Sequence, residues 1–228
     1  MPPRKADAVA QHNMKILVTA GPTREHLDPV RFISNRSTGK MGFAVAERAA
    51  ARGHDVTLIA GPVSLVTPTH VTRVDVTSAR DMLAAVLAHL PQADALVMCA
   101  AVADWRPKET SAKKLKKREM SAVLELVPNP DILATIQPQK GGRIFVGFAA
   151  ETGDPLPEAR RKLMDKGLDL IVANDVSLPG SGFAVDTNLV TLVARSGDPE
   201  TLPLLDKRAV ADHIVAWLER NAPRVTQP

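Results

Sequence analysis

The sequence predicts an α/β protein with a Rossmann-like, mostly parallel sheet and helices on both faces of that sheet. Short apolar runs typical of buried strands recur along the chain, and segments with helical periodicity separate them. Strand, helix and strand in this order form right-handed parallel units. A length of 228 residues suits one large domain of this kind, with or without a small appendage.

The element boundaries follow from apolar runs, turn residues and capping residues. Strands are predicted at residues 15–20, 55–60, 71–76, 95–103, 122–127, 143–149, 168–173, 188–194 and 201–205, the last two as an antiparallel edge pair. Helices are predicted at residues 39–52, 79–89, 132–137, 157–166 and 207–219. Residues 1–13 are polar and carry two prolines, which is typical of a tail or linker. The domain is therefore expected to span residues 14–221, with a C-terminal tail at 222–228.

Composition narrows the class of protein. The single cysteine, Cys99, excludes an intramolecular disulfide, and no cysteine–histidine cluster has the spacing of a zinc site. Cys99 lies in an apolar run, which favours an inert buried thiol over a nucleophile. No apolar stretch is long enough to span a membrane and the N-terminus lacks the apolar core of a signal peptide, so we expect a cytoplasmic location. A net charge of +4 is too small to indicate nucleic-acid binding by itself.

A carboxylate and a run of lysines follow the apolar segment at 95–103. Asp104 stands where a strand is expected to end, and ligands of open α/β sheets bind beyond the carboxyl ends of strands. Residues 113–117 (KKLKK) then supply four lysines on a loop. A carboxylate suited to a hard metal or a ribose, followed by several cations, indicates a nucleotide-triphosphate site. The competing interpretation, a solvated basic loop, is the commoner origin of such a charge run.

Three further features have both a binding and a structural interpretation. Residues 37–42 (STGKMG) stand at the start of a helix, whose free backbone amides and dipole attract anions. The segment is neither a Walker motif nor G-x-G-x-x-G, and helix capping alone explains its Ser, Thr and Gly residues. Asn129 suits the N-cap of the next helix and Pro130 its first position, again without binding. Lys162 and Lys166 lie four apart on one helix face, where like charges favour a bound anion, although a solvated face is commoner.

Several long motifs in a fixed order resemble one family. They are AGPTREHLDPVRFISNRSTGKMG, AAVADWRP with KKLKK, NPDIL, GFAAET and ANDV. Together they are similar to phosphopantothenoylcysteine synthetase, which in many bacteria is the C-terminal half of a bifunctional coenzyme A biosynthesis protein. The resemblance extends from about Met14 to about Glu219. It implies a Rossmann-like fold and a homodimer, with a small β/loop extension near the lysine loop taking part in the dimer contact.

The resemblance also implies a reaction. Bacterial members use CTP and Mg²⁺ to convert the carboxylate of (R)-4′-phosphopantothenate to an acyl-cytidylate, releasing pyrophosphate. The amine of L-cysteine then attacks, which gives phosphopantothenoylcysteine and CMP. The substrate carboxylate is its own nucleophile, and this agrees with the scattered positions of the six histidines. The residues alone leave the choice between CTP and ATP open, and the similarity to bacterial members favours CTP.

Site residues are implied by motif, position by position. Asn35 matches the asparagine that holds the acyl group, and Lys114 matches a catalytic residue of the nucleotide site. Asp104 matches a nucleotide-site residue and is the expected metal contact. Further nucleotide contacts are expected at Ser37, Gly39, Lys40, Gly42, Ala101, Pro130, Asp131, Ile132, Leu133, Phe148, Lys162 and Lys166. Substrate contacts are expected at Arg31, Ala100 and Ala101, beside Asn35.

One departure from the family pattern concerns a partner protein. The flavin-dependent decarboxylase that is usually fused ahead of this domain is absent from the sequence, so a separate or formerly fused decarboxylase is the expected partner. The chain is either a monofunctional synthetase or an excised domain.

Two other functions compete with this interpretation. A dehydrogenase-like module is disfavoured because AGPTRE after the first strand is not G-x-G-x-x-G. A nucleic-acid-binding domain is disfavoured because five Phe, two Trp and no Tyr offer little base stacking.

Overall fold

The computed structural model describes residues 13–119, 123–178, 180, 182 and 185–222. Its strands are β1 (Lys15–Ala20), β2 (Arg24–His26), β3 (Phe32–Ser34), β4 (Asp55–Ala60), β5 (Val71–Asp75), β6 (Ala95–Met98), β7 (Trp105–Pro107), β8 (Leu126–Pro128), β9 (Ile144–Glu151), β10 (Leu170–Asp175), β11 (Thr187–Asn188), β12 (Val190–Ala194), β13 (Glu200–Thr201) and β14 (Leu205–Asp206). Its α-helices are α1 (Lys40–Ala51), α2 (Ala79–His89), α3 (Ile132–Ile136), α4 (Leu156–Asp165) and α5 (Lys207–Asn221). Of the tails predicted at 1–13 and 222–228, residues 1–12 and 223–228 lie outside the described residues.

Eight strands form one sheet in the order β13-β12-β10-β9-β6-β1-β4-β5. The six strands from β10 to β5 pair in parallel, and β12 and β13 extend the edge in antiparallel fashion. The chain runs from β1 outward to β4 and β5, and then returns to place β6 on the other side of β1. This reversal beside β1 is the topological switch point at which open α/β sheets bind ligands. The predicted mostly parallel α/β fold is confirmed.

Helices cover both faces of the sheet, as predicted. Helices α1 and α5 bury one face together with Ile16 and Val18 of β1. Helices α2, α3 and α4 bury the opposite face, onto which Leu17 of the same strand points. Alternate side chains of a strand point to opposite faces, so a central strand covered on both sides has to be apolar throughout. This requirement explains the apolar run at residues 16–18 in the middle of β1.

The strand predicted at 95–103 is shorter in the structure, because β6 ends at Met98. Beyond it the chain leaves β9 and follows the loop after β1 instead. The amide of Ala101 donates to the carbonyl oxygen of Gly21 at 2.9 Å, and the amide of Thr23 donates to the carbonyl oxygen of Ala101 at 3.3 Å. The apolar residues 99–103 are therefore a loop that lies on the switch point.

Two other predicted boundaries need correction. The strand predicted at 201–205 is split: Glu200–Thr201 pairs with β12 as expected, whereas Leu205–Asp206 pairs with Thr187–Asn188 in a separate ribbon. Pro203 separates the two pieces, because a proline has no amide hydrogen for a strand ladder. Of the strand predicted at 122–127, Leu126 and Val127 belong to β8, which pairs with β7, whereas residues 123–125 are not in a strand and residue 122 lies outside the described residues. No helix in the described part of the chain is long and apolar enough to cross a membrane.

Candidate active site

The loops after β1 and β6 are joined by backbone hydrogen bonds at the switch point. Pro22 and Ala101 form a parallel β-bridge, flanked by the two bonds of Ala101 described above. The Thr23 side chain adds a third bond by accepting from the amide of Ala103 at 3.0 Å. The chain after β4 packs tightly beneath, since a Cβ atom at Gly61 would lie 1.8 Å from the Pro22 carbonyl oxygen. The two loops therefore form one connected floor for a site at the carboxyl ends of the strands.

Asn35 reaches this floor from the loop between β3 and α1. Its Nδ2 donates to the carbonyl oxygens of Ala101 and Val102, at 3.0 and 3.2 Å. The preceding residue is fixed as well, because the Ser34 hydroxyl donates to the carbonyl oxygen of Thr23 at 2.7 Å. Both amide hydrogens of Asn35 are thus directed at the main chain, which leaves Oδ1 as a neutral acceptor. The structure brings Asn35 next to Ala101, as the sequence predicted.

The main cavity of the site has a volume of about 550 Å³ and opens above this floor. A cavity of this size suits a nucleoside or another ligand of similar bulk. It is lined by the end of β6 with the loop that follows, the start of α3, Phe148 of β9, and two lysines in and just after α4. The predicted residues gathered here are Ala100, Ala101, Asp104, Pro130, Asp131, Ile132, Leu133, Phe148, Lys162 and Lys166.

The start of α3 is built differently from the sequence prediction. Asp131, and not Asn129, is the N-cap, since its Oδ1 accepts from the amide of Ala134 at 2.9 Å. The side-chain amide of Asn129 donates instead to the carbonyl oxygen of Ala103 at 2.8 Å, and the backbone amide of Asn129 donates to the carbonyl oxygen of Asp104 at 2.7 Å. Asn129 thus ties α3 to the loop after β6. This tertiary contact has no signal in the local sequence.

Lys162 of α4 and Lys166, which caps the C-terminus of α4, are in ion pairs on the cavity wall. Lys162 Nζ lies 2.7 Å from Glu151 Oε1, and Lys166 is paired with Asp131. Partial burial opposes ionisation of Asp131, but the Ala134 amide and the Lys166 ammonium outweigh it and hold the pKa of Asp131 below its usual range. The like charges that the sequence placed on one helix face are therefore balanced by carboxylates from two other elements. Glu151 was not selected as a site residue, although it stands at the end of a parallel strand, where ligands of open sheets bind.

A smaller cavity of about 70 Å³ adjoins the main one. The two share Cys99, Phe148 and Ala150 in their walls. The predicted residues Ser37, Gly39, Lys40 and Gly42 line the smaller cavity together with Asn174, Asn188 and Lys207. The start of α1 packs tightly on β1, because a Cβ atom at Gly42 would lie 2.6 Å from the Ala20 Cβ atom. The sequence analysis gave Lys207 only as the first residue of the last helix, whereas Asn174 could have been found from its position at the end of a parallel strand.

Cys99 lies between the two cavities and is not a nucleophile at neutral pH. Burial raises the pKa of the Cys99 thiol to about 12, even though the Lys207 ammonium acts in the opposite direction. A thiolate is the reactive form of cysteine, and at this pKa it is scarcely populated. This agrees with the inert thiol expected from the sequence.

Lys114 and Arg31 lie beside the site and line neither cavity. Lys114 is exposed on the loop that carries the lysine run. The loop is anchored at Asp28, whose carboxylate accepts from the amides of Val30 and Arg31 at 2.8 Å and from the amide of Leu115 at 3.2 Å. Arg31 pairs with the same carboxylate at 3.3 Å. Asp28 was not singled out from the sequence, although it joins these two predicted site segments.

The electrostatics of Asp28 follow from these contacts. Burial opposes ionisation, but the three backbone amides and the Arg31 guanidinium hold the pKa of Asp28 below its usual range. The carboxylate is therefore charged at neutral pH and keeps the lysine loop attached to the turn after β2.

Asp104 is exposed at the edge of the main cavity. Within the described ranges, no group of three or more His, Cys, Asp or Glu side chains is arranged to hold a metal ion. A metal at this edge would therefore depend on a single protein carboxylate together with groups supplied by a ligand.

The comparisons with known proteins identify the family of this chain. A family model described as the DNA/pantothenate metabolism flavoprotein C-terminal domain, or DFP, matches residues 11–221. The chain belongs to this family. The resemblance noted in the sequence motifs is therefore confirmed at the level of the family.

Relatives in the DFP family include two bifunctional coenzyme A biosynthesis proteins named CoaBC. The protein from Vibrio vulnificus strain YJ016 is 48% identical over 207 residues, which cover 90% of this chain and 51% of the relative. The protein from Escherichia coli K12 is 50% identical over 196 residues, which cover 84% of this chain and 48% of the relative. The chain thus spans about half the length of these relatives. A crystal structure of a CoaBC C-terminal domain matches with a TM-score of 0.78 and 43% identity, covering 91% of this chain and 94% of that one.

Proposed function

We propose that the chain is a phosphopantothenate–cysteine ligase of coenzyme A biosynthesis, with residues 14–221 as its synthetase domain. It joins (R)-4′-phosphopantothenate to L-cysteine through an acyl-cytidylate, using CTP and releasing pyrophosphate and CMP. One observation carries the proposal: the ends of β6 and β9, the start of α3, and the lysines Lys162 and Lys166 converge on one cavity of about 550 Å³. The CoaBC relatives and the order of the sequence motifs support it.

The first half-reaction brings two anions together. A carboxylate oxygen of phosphopantothenate forms a bond to the α-phosphorus of CTP, and the bond from that phosphorus to the bridging oxygen breaks as pyrophosphate leaves with the electron pair. Lys162 and Lys166 stand on the wall of the main cavity, where their charges stabilise the phosphate oxygens in the transition state. Their present partners, Glu151 and Asp131, hold the two side chains in place until the nucleotide binds.

The second half-reaction forms the amide. The cysteine amine attacks the acyl carbon, the bond from that carbon to the cytidylate oxygen breaks, and CMP leaves while a proton passes to solvent. Asn35 is held by Ala101 and Val102 with its neutral Oδ1 left to accept from the incoming amine. A neutral amide suits this position because it brings no further negative charge to an anionic intermediate.

Lys114 and Arg31 belong to a part of the site that closes over bound substrates. The lysine loop is exposed and is joined to the turn after β2 through Asp28. Closure of this loop carries the Lys114 ammonium to the phosphates and brings Arg31 toward the substrate. Loop closure of this kind completes many catalytic sites and excludes water from them.

The donor groups at the cavity edge fit Mg²⁺. Mg²⁺ is usually bound through one or two carboxylates together with substrate phosphates and water. Asp104 offers one exposed carboxylate beside the cavity, and the triphosphate of CTP supplies the other ligands. When bound, the ion neutralises charge on the phosphates.

We also propose that the protein is a homodimer and that the exposed apolar side chains around β7 and β8 form the contact. Trp105 is 53% exposed, and Leu124 and Leu126 are 46% and 40% exposed. Contiguous exposed apolar residues on a soluble domain indicate an interaction site. A flavin-dependent decarboxylase, separate or fused, is the proposed functional partner because the CoaBC relatives are bifunctional.

The test is pyrophosphate release by the purified chain with CTP or ATP, with and without phosphopantothenate. We expect release with CTP that depends on phosphopantothenate, and formation of phosphopantothenoylcysteine once L-cysteine is added. Release that is equal with and without phosphopantothenate, or no amide product, would reject the proposed function.

A further inference from the structure

The connection between β4 and β5 differs from the other connections between parallel strands. The segments that lead to β4, β6, β9 and β10 each contain an α-helix, whereas residues 61–70, all of which the structure describes, contain none. Parallel strands are usually joined through a helix that packs on the sheet and fixes the connection in place. The loop at 61–70 therefore has to be held by individual side-chain contacts.

Val63 is the residue of this loop that packs beneath the candidate active site. A Cβ atom at Gly21 would lie 3.0 Å from Val63 Cγ1, and a Cβ atom at Gly39 would lie 3.1 Å from the same carbon. Both glycines have a positive φ, 80° and 79°, a conformation that residues with a side chain rarely adopt. Gly21 accepts from the amide of Ala101 in the floor of the site, and Gly39 is the N-cap of α1. One methyl group of Val63 thus supports two segments of the site at once.

Arg73 of β5 holds the loop against α1. Its Nη1 donates to the carbonyl oxygen of Leu65 at 2.9 Å, two residues beyond Val63. Its guanidinium also lies over the ring of Phe43, 5.4 Å from the ring centroid, in a cation–π contact. Phe43 is in the first turn of α1, and its amide donates to the carbonyl oxygen of Gly39 at 3.1 Å. Arg73 is therefore connected to the N-cap of α1 both through the loop and through the helix itself.

We infer that Val63 and Arg73 are positioning residues for nucleotide binding, although neither lines the main or the smaller cavity. Val63 sets the distance between the floor of the site and the start of α1, and Arg73 keeps Val63 in contact with both glycines. A displacement of about 1 Å caused by a remote substitution can cost about a hundredfold in rate, so a support of this kind affects the bound nucleotide. The inference rests on the proposed function, which places CTP above this floor.

The role of Val63 is tested against a matched truncation in the same apolar cluster. Val71 of β5 is also partly buried and packs on that cluster, but it contacts neither glycine in the way that Val63 does. Val63→Ala should raise the dissociation constant for CTP by about tenfold, measured by calorimetry. Val71→Ala should lower the thermal stability to a similar extent and leave the affinity for CTP unchanged. Val63→Ile keeps both γ carbons and should bind CTP nearly as well as the unaltered protein.

The role of Arg73 is tested by its coupling to Val63. Arg73→Met removes the guanidinium and should raise the dissociation constant for CTP by about threefold or more. If Arg73 acts through the loop, the double variant with Val63→Ala should bind CTP less weakly than the product of the two single effects requires, because residues that act through a shared contact are not additive. Arg80→Met, on the exposed side of α2, removes the same charge and should leave the affinity unchanged.

Two results would overturn the inference. One is that Val63→Ala and Val71→Ala bind CTP with equal affinity. The other is that Arg73→Met and Arg80→Met do so, a comparison that does not depend on the folding of the Val63 variant. Failure of the proposed function is distinguishable, because the unaltered protein would then release no pyrophosphate in response to phosphopantothenate.

Discussion

The ammonium of Lys162 lies 2.7 Å from the carboxylate of Glu151, across the wall of the main cavity. One residue belongs to α4 and the other ends β9, the strand that also carries Phe148 into the cavity. Lys166 and Asp131 form the equivalent pair nearer the start of α3. In each pair a protein carboxylate is bound to a lysine that the proposed reaction would direct at phosphate. Both ion pairs therefore have to break when the nucleotide binds.

Replacing both lysines tests this arrangement. The double variant Lys162→Gln and Lys166→Gln should raise the apparent KM for CTP by about tenfold or more, because two charge-assisted contacts to phosphate are lost. Thermal unfolding should change little, since both pairs are partly exposed. Steady-state kinetics provide the measurement, and Arg160→Gln with Arg161→Gln on the same helix is the control for net charge. Unchanged nucleotide kinetics would mean that the lysines are only a solvated helix face.

A second prediction concerns Asn35. Asn35→Asp replaces the amide that donates to Ala101 and Val102 with a carboxylate that faces two carbonyl oxygens. It also puts a negative charge beside an anionic intermediate. Amide formation should fall by about a hundredfold or more, whereas CTP binding should persist. Separate assays of CTP binding and of phosphopantothenoylcysteine formation distinguish the two effects, and normal product formation would remove Asn35 from the site.

A third prediction separates Lys114 from the rest of the lysine run. Lys114→Gln should lower turnover by about a hundredfold or more, because one charge-stabilising donor in a closed site typically contributes about 3–4 kcal/mol to the barrier. Lys117→Gln should change turnover little. The loop should also resist trypsin once CTP and phosphopantothenate are both bound. Equal and mild effects at the two lysines would indicate a solvated basic loop.

A fourth prediction follows from the lowered pKa of Asp28. A carboxyl whose folded-state pKa is depressed adds stability above its unfolded pKa, and loses it as the pH falls through the folded value. The ordinary value for Asp28 is 3.8, so its contribution should be complete near neutral pH and should disappear in acid below this value. Asp28→Asn should therefore lower the free energy of unfolding at pH 6, and the difference from the unaltered protein should shrink below about pH 4.

Urea unfolding at several pH values measures this dependence. Asp198→Asn, on an exposed turn, controls for the loss of one negative charge. A difference between Asp28→Asn and the unaltered protein that stays constant from pH 6 to pH 3 would contradict the role given to the Asp28 carboxylate.

The sequence predicted the fold well because its signals are local. A strand buried on both faces has to be an apolar run, as β1 is, and helix periodicity between such runs is visible directly. The predictions were wrong where contacts with a distant part of the chain determine the local backbone conformation. The run at 95–103 leaves the sheet after Met98 because Ala101 pairs with the loop after β1. Asn129 loses the N-cap to Asp131 because its side chain bonds to Ala103.

The candidate site was predictable only in part, for the same reason. Motif resemblance selected Lys162, Lys166 and Asp104, and the structure brings them to one cavity. Nothing in the local sequence distinguishes Asp28 from an ordinary surface carboxylate, and the position of Glu151 at the end of β9 does not reveal its partner. Glu151 pairs with Lys162, which is 11 residues away in the chain, and Asp28 accepts from the amide of Leu115, which is 87 residues away. Contacts of this kind exist only after the sheet has assembled.

The pairing of Pro22 with Ala101 limits how the two loops can change in length. An inserted residue in either loop would move the bridge by one place, and it would shift Asn35 relative to the cavity edge at Asp104. The tight contact of Gly61 beneath Pro22 leaves no space to absorb such a shift. Insertions are usually tolerated in surface loops. In these two loops, however, an insertion should be tolerated as poorly as one inside a strand of the sheet. Natural length variation in this domain should therefore collect elsewhere, for example in the exposed turn around Gly197.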